Sequence, residues 1–494
     1  MFYLFGTIFP IASYILQIYH RIFNKYFGVD VWTLLIEINL IRKNGHSVPK
    51  RRIKKGFIID GYFDYPPLFL VLLSFLPKKF LFNFQGFISP LFDAMLNIII
   101  FFIVYQMTQS VVFALVAQLI YTTIPVAALE NSALLPRSLG YSLFMLSFFF
   151  AIVFTTSGNQ IALVASIILA TLTLLSHKFA TQSLFFISIF FTIFEKNLYY
   201  IGILLSSIVL AVIVSRGYYI NVLKSHVRII HFWIKNRKNR FAHQVYGNIS
   251  LKKNPDLIGI IYKLLTKLAP VMLLSANFWI FSIVLFLILQ PSFPILINKM
   301  VIWIAFFYVF GVLVLMIPQL TPIGEGYRYI EMTTLPTAIV AAFIFFYLYN
   351  SELRELALAG YVIVLVSNLT IIIFTQKKAI IADTNRSLTG DLTKMYNFIN
   401  KLPTTPRIMC IPHQITTMTV YNTRANVLVN FDVEGLQKMS DFYPVFKKPI
   451  IEIAKKFDIN YILLRENFAK LKDLKLTNSK VVYRSGENLL IELN

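Results

Sequence analysis

The stretch ISPLFDAMLNIIIFFIVYQMTQSVVFALVAQLIYTTIPVAA, residues 88–128, contains no charged side chain after Asp93. A helix needs about 20 apolar residues to cross a bilayer, so this stretch predicts two successive membrane spans, 88–107 and 109–128. Similar runs recur as far as about residue 374 and predict about eleven spans in all. The others lie near 2–19, 138–156, 159–176, 178–194, 197–215, 267–290, 294–318, 333–350 and 354–375.

The composition agrees with a membrane protein. Of 494 residues, 57% are hydrophobic and 14% are charged, whereas soluble domains have about half and about a quarter. The 46 Lys and Arg residues outnumber the 23 Asp and Glu residues, which gives a net charge of +23. Few of these charges can lie in hydrocarbon, so the loops are basic and face lipid head groups or a phosphorylated ligand. A single cysteine, Cys410, excludes an internal disulfide and CxxC chemistry.

Three polar blocks interrupt the apolar pattern. The first, 20–67, includes the stretch 31–41, whose apolar residues have helical spacing and predict a helix along the membrane surface. The second, 216–266, is a basic loop. The third, 376–494, has the composition of a soluble domain. We therefore predict a transmembrane domain over 1–375 and a small C-terminal α/β domain over 376–494, with strands at 407–411, 461–464 and 481–483 and a helix at 445–457.

An odd number of spans places the first polar block and the C-terminal domain on the same side of the membrane. The same count puts the basic 216–266 loop on that side, whereas short basic loops normally stay cytoplasmic. Because the first block is also basic, the charge pattern leaves the orientation open. Either one span is miscounted, or these loops are basic because they bind phosphate.

Candidate acids lie in the first polar block. Asp30 is the first acid after the first predicted span, near the bilayer edge, where partial desolvation can make a carboxylate a usable base. Asp60 and Asp64 follow, and Tyr65 precedes two prolines that hold the preceding residues extended. The same residues also fit structural roles, with Asp30 as a helix N-cap and Asp64 as a turn acid.

Basic side chains at the ends of predicted spans form a second group of candidates. Arg137, Lys178 and Arg328 lie at the depth of a lipid-linked phosphate, and a guanidinium can bind phosphate with two hydrogen bonds. Their alternative role is to anchor helix ends at the interface. Supporting residues are His177, which can also cap a helix, and two acids three residues either side of Arg328, Glu325 and Glu331.

Several motifs are missing from the sequence. It contains no Walker phosphate loop, GxGxxG, HExxH or GxSxG, so nucleotide hydrolysis, dinucleotide redox chemistry and the common soluble hydrolase mechanisms have no support. The basic residues are spread between membrane spans, which argues against nucleic-acid binding. A divalent metal is neither required nor excluded.

The order of these parts resembles the GT-C superfamily of polytopic glycosyltransferases, which includes protein mannosyltransferases and aminoarabinose transferases of lipid A. The resemblance covers nearly the whole chain in architecture and implies a GT-C-like bundle of about eleven helices with a C-terminal extramembrane domain. It implies that Asp30 corresponds to the catalytic acid of the first extracytoplasmic loop. Tyr65-Pro66-Pro67-Leu68 resembles a His-Pro-Pro-Leu element, with Tyr in place of His.

The expected function is the transfer of a sugar from a polyprenyl-phosphate carrier to a glycan, lipid or protein acceptor at the extracytoplasmic face of the cell membrane. Asp30 would act as base, Asp60 and Asp64 as supporting acids, and Arg137, Lys178 and Arg328 as phosphate ligands. The alternative is a translocase for lipid-linked sugars or polysaccharides, which would use the same basic loops as an electrostatic path. A scaffold without activity would leave these residues scattered.

Overall fold

The computed structural model describes residues 2–130, 133–240, 242–248, 268–476 and 479–493. The chain divides into two compact units. Unit 1 comprises Met1–Lys25, Gly86–Tyr219 and Asn254–Ile381, and unit 2 comprises Tyr26–Gln85, Ile220–Lys253 and Ala382–Asn494.

The helices are, in chain order, α1 (Phe2–Phe5), α2 (Ile8–Ile18), α3 (Asp30–Lys43), α4 (Leu68–Ser74), α5 (Lys78–Asn83), α6 (Ser89–Thr108), α7 (Val111–Thr122), α8 (Pro125–Glu130), α9 (Arg137–Ser157), α10 (Gln160–Leu174), α11 (Lys178–Phe194), α12 (Tyr199–Val214), α13 (Tyr218–Asn236), α14 (Ala269–Ala276), α15 (Ile280–Leu289), α16 (Ile295–Met316), α17 (Thr334–Tyr349), α18 (Arg354–Thr375), α19 (Gly390–Lys401), α20 (Thr416–Asn422) and α21 (Ile450–Phe457). The strands are β1 (Phe57–Ile59), β2 (Arg407–Ile411), β3 (Asn426–Asn430), β4 (Tyr461–Arg465), β5 (Ser479–Ser485) and β6 (Asn488–Leu493).

Unit 1 is helical. Among the described residues, 5 helices are long and apolar enough to cross a membrane, namely Ser89–Thr108, Arg137–Ser157, Ile295–Met316, Gly326–Tyr349 and Arg354–Ile381. Shorter apolar helices, α7, α10, α11, α12 and α15, occupy other predicted spans.

Two predicted spans are interrupted rather than continuous. The first is split between α1 and α2, and the span near 267–290 is split between α14 and α15, with residue 267 outside the described residues. The second break occurs at buried Asn277, whose side-chain oxygen accepts a hydrogen bond from the Trp279 backbone N–H at 3.1 Å. An Asn side chain that binds its own backbone in this way competes with the helix.

The core of unit 1 is rich in aromatic side chains. Trp303 on α16 lies 5.0 Å from Phe148 on α9, and Phe148 lies at the same distance from Phe191 on α11, measured between ring centres. All three side chains are buried. Aromatic pairs at such separations add to the stabilisation from burial, so they hold α9, α11 and α16 as one bundle.

Unit 2 is an α/β unit around a six-stranded sheet with the order β1-β3-β2-β4-β6-β5. The pairs β1–β3, β2–β3 and β2–β4 are parallel, and β4–β6 and β5–β6 are antiparallel. Its core includes Ile59, Ile411, Leu428, Ile462 and Ile491. The strands and helix predicted in the C-terminal region are therefore confirmed, with α21 beginning at Ile450 rather than at residue 445.

This sheet also takes a strand from outside the C-terminal region, which the sequence analysis did not include. Strand β1 comes from the first polar block and pairs with β3 through the contacts Phe57–Val427 and Ile59–Asn430. The predicted boundary between residues 375 and 376 stays a prediction. The basic 216–266 segment is largely the helix α13 as far as residue 236, while residues 241 and 249–266 lie outside the described residues.

Helix α3 corrects one prediction. The apolar residues of 31–41 were expected to lie on the membrane surface, but Val31, Leu34, Leu35, Ile38 and Ile41 are all buried in the protein. Helix α3 packs against α4 and α20 within unit 2. Apolar spacing identifies a face that must be covered, but it does not distinguish lipid from protein as the cover.

Two glycines allow the segment that carries Arg328 to lie close to α16. A Cβ atom on Gly326 would lie 2.3 Å from the Gly311 carbonyl oxygen and 2.5 Å from Leu315 Cγ. Because the backbone oxygen cannot swing away, we expect Gly326→Ala to destabilise the protein by about 1–3 kcal/mol, the usual cost of overpacking. Thermal unfolding of the purified protein in detergent measures this effect.

The matched control is Gly360→Ala in α18, where a Cβ atom would meet nothing within 4 Å. Alanine has the higher helix propensity, so this variant should be neutral or slightly more stable. If both variants unfold at the wild-type temperature, the backbone at Gly326 does not lie as close to Gly311 as described.

Candidate functional site

Asp30 is the first residue of α3 and is exposed. Gly28, with φ of 129°, makes the turn before the helix, and its N–H donates to the Arg386 carbonyl at 2.9 Å. The N-cap is Val29, so Asp30 does not cap α3 through its side chain. Within the described ranges, the Asp30 carboxylate has no hydrogen bond or ion pair. It is therefore available to a ligand.

The other two predicted acids have partners in unit 2. Asp60 forms an ion pair with Arg52 at 2.9 Å. Asp64 accepts a hydrogen bond from the Val433 N–H at 2.8 Å, and its own carbonyl accepts one from Ser225 Oγ at 3.1 Å. These contacts fit the structural alternative for Asp64, since they connect the loop before Pro66 to the C-terminal region.

The acid that determines the path of this loop was missed by the sequence analysis. Buried Asp432 accepts hydrogen bonds from the backbone N–H groups of Tyr62 and Gly435, both at 2.8 Å. A Cβ atom on Gly61 would lie 2.3 Å from Asp432 Cγ, so only glycine fits there. Tyr65 is partly buried beyond this loop, and α4 begins directly after the two prolines.

An aromatic group from the C-terminal region lies next to the start of α3. Thr417 on α20 donates to the Val29 carbonyl at 3.3 Å. His413, just before α20, lies 4.6 Å from the Tyr443 ring. Burial raises the pKa of Tyr443 to about 12, with a smaller contribution from the negative charge of Asp30. The Tyr443 hydroxyl forms no hydrogen bond with the described part of the chain. Within that part, a phenol and a carboxylate that have neither a hydrogen bond nor an ion pair are therefore close enough in unit 2 to interact electrostatically.

Trp233 and Arg240 complete this group. The Trp233 ring centre lies 6.2 Å from that of Tyr443 and 5.3 Å from the Arg240 guanidinium carbon. Burial also lowers the pKa of His413 to about 4, so His413 is neutral at pH 7. None of the four side chains in this group, Trp233, Arg240, His413 and Tyr443, was among the candidates predicted from the sequence. One signal was present, because Trp233 is one of only 4 tryptophans and lies in a strongly basic segment.

The predicted phosphate ligands belong to unit 1. Arg137 opens α9, and its guanidinium lies 3.8 Å from Glu331; both side chains are buried. Arg328 pairs through Nε with Glu325 at 2.9 Å and is partly exposed. The segment Gly326–Thr333 is a 3₁₀ helix. The two acids that flank Arg328 in sequence therefore serve different arginines.

His177 and Lys178 lie at the start of α11. His177 caps this helix, with its Nδ1 accepting the Ala180 N–H at 3.3 Å, and its ring lies 5.2 Å from Tyr141 on α9. Lys178 is the first residue of α11 and is partly buried. Tyr141 is one turn after Arg137, so the first turns of α9 and α11 are neighbours.

The segment that carries Arg328 reaches the same place. Gln182 on α11 donates to the Ile323 carbonyl at 2.6 Å and to the Tyr329 hydroxyl at 2.9 Å. The ring of Phe179, next to Lys178, lies 4.6 Å from that of Tyr329. The structure thus brings the predicted residues Arg137, His177, Lys178, Glu325, Arg328 and Glu331 to one end of the unit 1 helices.

Two further groups of interacting polar side chains in unit 1, one nearly buried and one buried, were not predicted. Near the other end of α9, Lys299 donates to Glu195 at 2.8 Å and to Thr155 at 3.2 Å, and Tyr200 donates to Glu195 at 3.0 Å. On α6, buried Asp93 accepts hydrogen bonds from Tyr121 at 2.6 Å, Gln17 and Ser13. Glu195 and Lys299 are distant in sequence, as are Asp93 and its partners, so spacing along the chain does not indicate that these side chains interact.

No group of three or more His, Cys, Asp or Glu side chains that could hold a metal ion occurs among the residues that the structure describes.

Comparison with solved structures identifies similar folds. The oligosaccharyltransferase of Archaeoglobus fulgidus, solved with Zn and sulfate, aligns with a TM-score of 0.58 and 11% identity, over 94% of this chain and 68% of that one. The archaeal oligosaccharyltransferase AglB from Archaeoglobus fulgidus, in complex with an inhibitory peptide and a dolichol-phosphate, gives a TM-score of 0.57 and 10% identity, with 95% and 70% coverage.

ArnT from Cupriavidus metallidurans, bound to undecaprenyl phosphate, aligns with a TM-score of 0.56 and 10% identity, over 98% of this chain and 97% of that one. Both neighbours are GT-C enzymes. The chain has a GT-C-like fold. The resemblance inferred from the sequence is confirmed at the level of the fold. No protein-family model and no curated protein matches the sequence.

The Lys299–Glu195 pair, whose side chains are only 11% and 15% exposed, gives a stability test that is separate from any activity. Lys299→Met leaves the Glu195 carboxylate without its cation, and removing one partner of a buried pair costs about 3–5 kcal/mol. Combining it with Glu195→Leu removes the orphaned charge, so the double variant should regain most of this loss. Thermal unfolding in detergent compares the variants, and equal stability of the single and double variants would contradict the pairing.

Proposed function

We propose that the protein is an integral-membrane glycosyltransferase that transfers a sugar from a polyprenyl-phosphate carrier to an acceptor at the extracytoplasmic face. The observation that supports this most is the alignment with ArnT, which extends over nearly the full length of both chains. ArnT was solved with undecaprenyl phosphate and AglB with a dolichol-phosphate. A lipid-linked phosphate is therefore the leaving group that we propose for this chain.

In this proposal the leaving phosphate is bound by Arg137, Lys178 and Arg328. Glu325 contacts Arg328 at Nε, and the Tyr327 side chain also hydrogen-bonds with this guanidinium. The N–H donors that remain on the two terminal nitrogens bind the phosphate oxygens in this proposal. Glu331 holds Arg137, and His177 fixes the helix start that carries Lys178. Fixed cations placed before the reaction stabilise the charge that develops as the phosphate leaves.

Asp30 acts as the base on the acceptor. The acceptor hydroxyl oxygen attacks the anomeric carbon, and its proton passes to the Asp30 carboxylate. The bond from the anomeric carbon to the phosphate oxygen breaks, and its electron pair leaves with the phosphate. A single displacement of this kind inverts the anomeric centre. Of the three predicted acids, Asp30 is the one whose carboxylate lacks a protein partner in the described chain.

The other predicted acids hold the loop that follows β1, in the same unit as Asp30. Asp60 and Asp64 hold the loop between β1 and α4 through Arg52 and Val433, and Tyr65 belongs to the same loop. The Tyr443 hydroxyl next to Asp30 can bind the acceptor, and the Trp233 ring gives an apolar surface for it. The acceptor class, whether glycan, lipid or protein, stays open.

About eleven helices cross the membrane in this proposal, with Asp30 and the C-terminal region on the extracytoplasmic side. The test is to reconstitute the full chain in liposomes with polyprenyl-phosphate sugars and to measure loss of donor together with release of polyprenyl phosphate. A translocase would instead move the donor between leaflets and leave it chemically intact.

Asp30→Asn should abolish transfer and leave the fold intact. The amide keeps the size of the side chain but loses the basic oxygen, so the rate should fall by about a hundredfold or more. The measurement is donor turnover in the liposome assay. Asp391→Asn is the matched control, because Asp391 is another exposed acid in the first turn of a helix. Turnover of Asp30→Asn equal to that of the control would remove Asp30 from the mechanism.

Arg328→Lys should weaken transfer by about 1–3 kcal/mol, the value of a hydrogen bond to a charged group. Lysine keeps the charge but cannot reproduce the planar pair of donors. The loss should appear in the kinetics with lipid-linked donor and leave thermal stability nearly unchanged.

The control for this change is Arg354→Lys, an exposed arginine at the start of α18, which should transfer sugar normally. If Arg328→Lys loses stability and activity together, Arg328 is a structural anchor, and Arg137 or Lys178 holds the phosphate.

A further inference from the structure

Helix α13 carries an unusual charge pattern. From residue 218 to residue 240 the sequence contains no acid, and its cations are Lys224, Arg228, Lys235, Arg237, Lys238 and Arg240. Arg228 is paired, since it contacts Glu434 at 2.8 Å. Three residues separate the end of the apolar helix α12 from the start of α13. A strongly basic helix thus directly follows a membrane-type helix in the chain.

One face of α13 is fixed to unit 2. Ser225 donates to the Asp64 carbonyl at 3.1 Å, and Asn236 accepts a hydrogen bond from Lys447 at 3.0 Å. Phe232 is buried and stacks on Tyr443 with ring centres 6.1 Å apart. These three contacts, spread over three helical turns, fix the rotation of α13 about its own axis. The residues of the opposite face therefore point away from these contacts.

The opposite face exposes aliphatic side chains at a regular interval. Ile220, Val227 and Ile234 are 44%, 68% and 52% exposed, and they are spaced seven residues apart. Seven residues are nearly two turns of an α-helix, so the three side chains form one stripe. Solvated helix faces are normally polar, and about half or more of each of these aliphatic side chains stays uncovered by the described chain.

Cations lie along one side of that stripe. Lys224, Arg228 and Lys235 are exposed and project at about 60–100° around the helix from the centre of the aliphatic stripe, at about 100° per residue. Parallel apolar and basic stripes are typical of helices that lie in the membrane interface, where the aliphatic groups enter the acyl boundary and the cations meet the head groups. Each cation near such a surface strengthens binding about fivefold.

We propose that the outward face of α13 binds the anionic head groups of the bilayer, with Ile220, Val227 and Ile234 inserted at the interface and Lys224 and Lys235 paired with lipid phosphate. The charge of the helix selects an anionic surface, and the aliphatic stripe selects a lipid surface over a soluble polyanion. This role is independent of sugar transfer.

The test uses the full chain with an NBD fluorophore on Val227→Cys, reconstituted in nanodiscs of phosphatidylcholine alone or with about one third phosphatidylglycerol. Cys410 is buried, and labelling of the unsubstituted chain measures its background. We expect the NBD emission to shift to the blue and to lose quenching by aqueous iodide when phosphatidylglycerol is present. High salt should reverse part of the shift, because it screens exposed charges.

Val481→Cys is the matched control. Val481 is another partly exposed valine of unit 2, 40% exposed on β5, and its label should respond equally little in both lipids. Lys224→Gln combined with Lys235→Gln should remove most of the response at position 227. Labels at 227 and 481 that behave alike in both lipids would overturn the proposal. A shift at 227 that requires two chains per disc would also overturn it and would assign the face to a second copy.

Discussion

The parallel pairing of β1 with β3 determines where Asp30 can lie. It joins Phe57 in the first polar block to Val427 near the other end of the chain, and Asp432 fixes the loop that follows β1. Helix α3 packs against α20 in the same unit. The segment that carries the candidate base is therefore part of the C-terminal α/β unit, even though it directly follows the first predicted span in sequence.

A second constraint acts in unit 1, where charged side chains lie among apolar helices. A charge in such surroundings is costly unless a partner compensates it. Each buried or nearly buried charge described above has a partner, as Arg137 has Glu331, Lys299 has Glu195, and Asp93 has Tyr121. Arg328 differs, because it is partly exposed beside its Glu325 partner. The need to neutralise a charge among apolar helices accounts for the enclosed pairs. The partly exposed side chain of Arg328, by contrast, can be reached by a ligand.

The sequence predicted the features that depend on local pattern. Strands β2 and β4 were located because short β-branched and apolar runs have few alternatives. The pattern could not show that Asn277 interrupts a helix, that α3 is covered by protein, or that Asp64 binds the Val433 backbone. Each of these depends on a residue distant in sequence or on a local competition for hydrogen bonds. Asp30 was selected by position alone, whereas its neighbours Tyr443 and Trp233 required the folded arrangement.

The discontinuity of unit 2 has a consequence for biosynthesis. Strand β1 emerges from the ribosome long before β3, and the helices of unit 1 are made in between. The hydrogen-bonding edge of β1 therefore stays without its native partner until β3, residues 426–430, has been translated. Contacts of such long sequence separation form slowly and expose strand edges meanwhile. The nascent first loop consequently carries a strand edge that is open to mispairing while the membrane helices are being inserted.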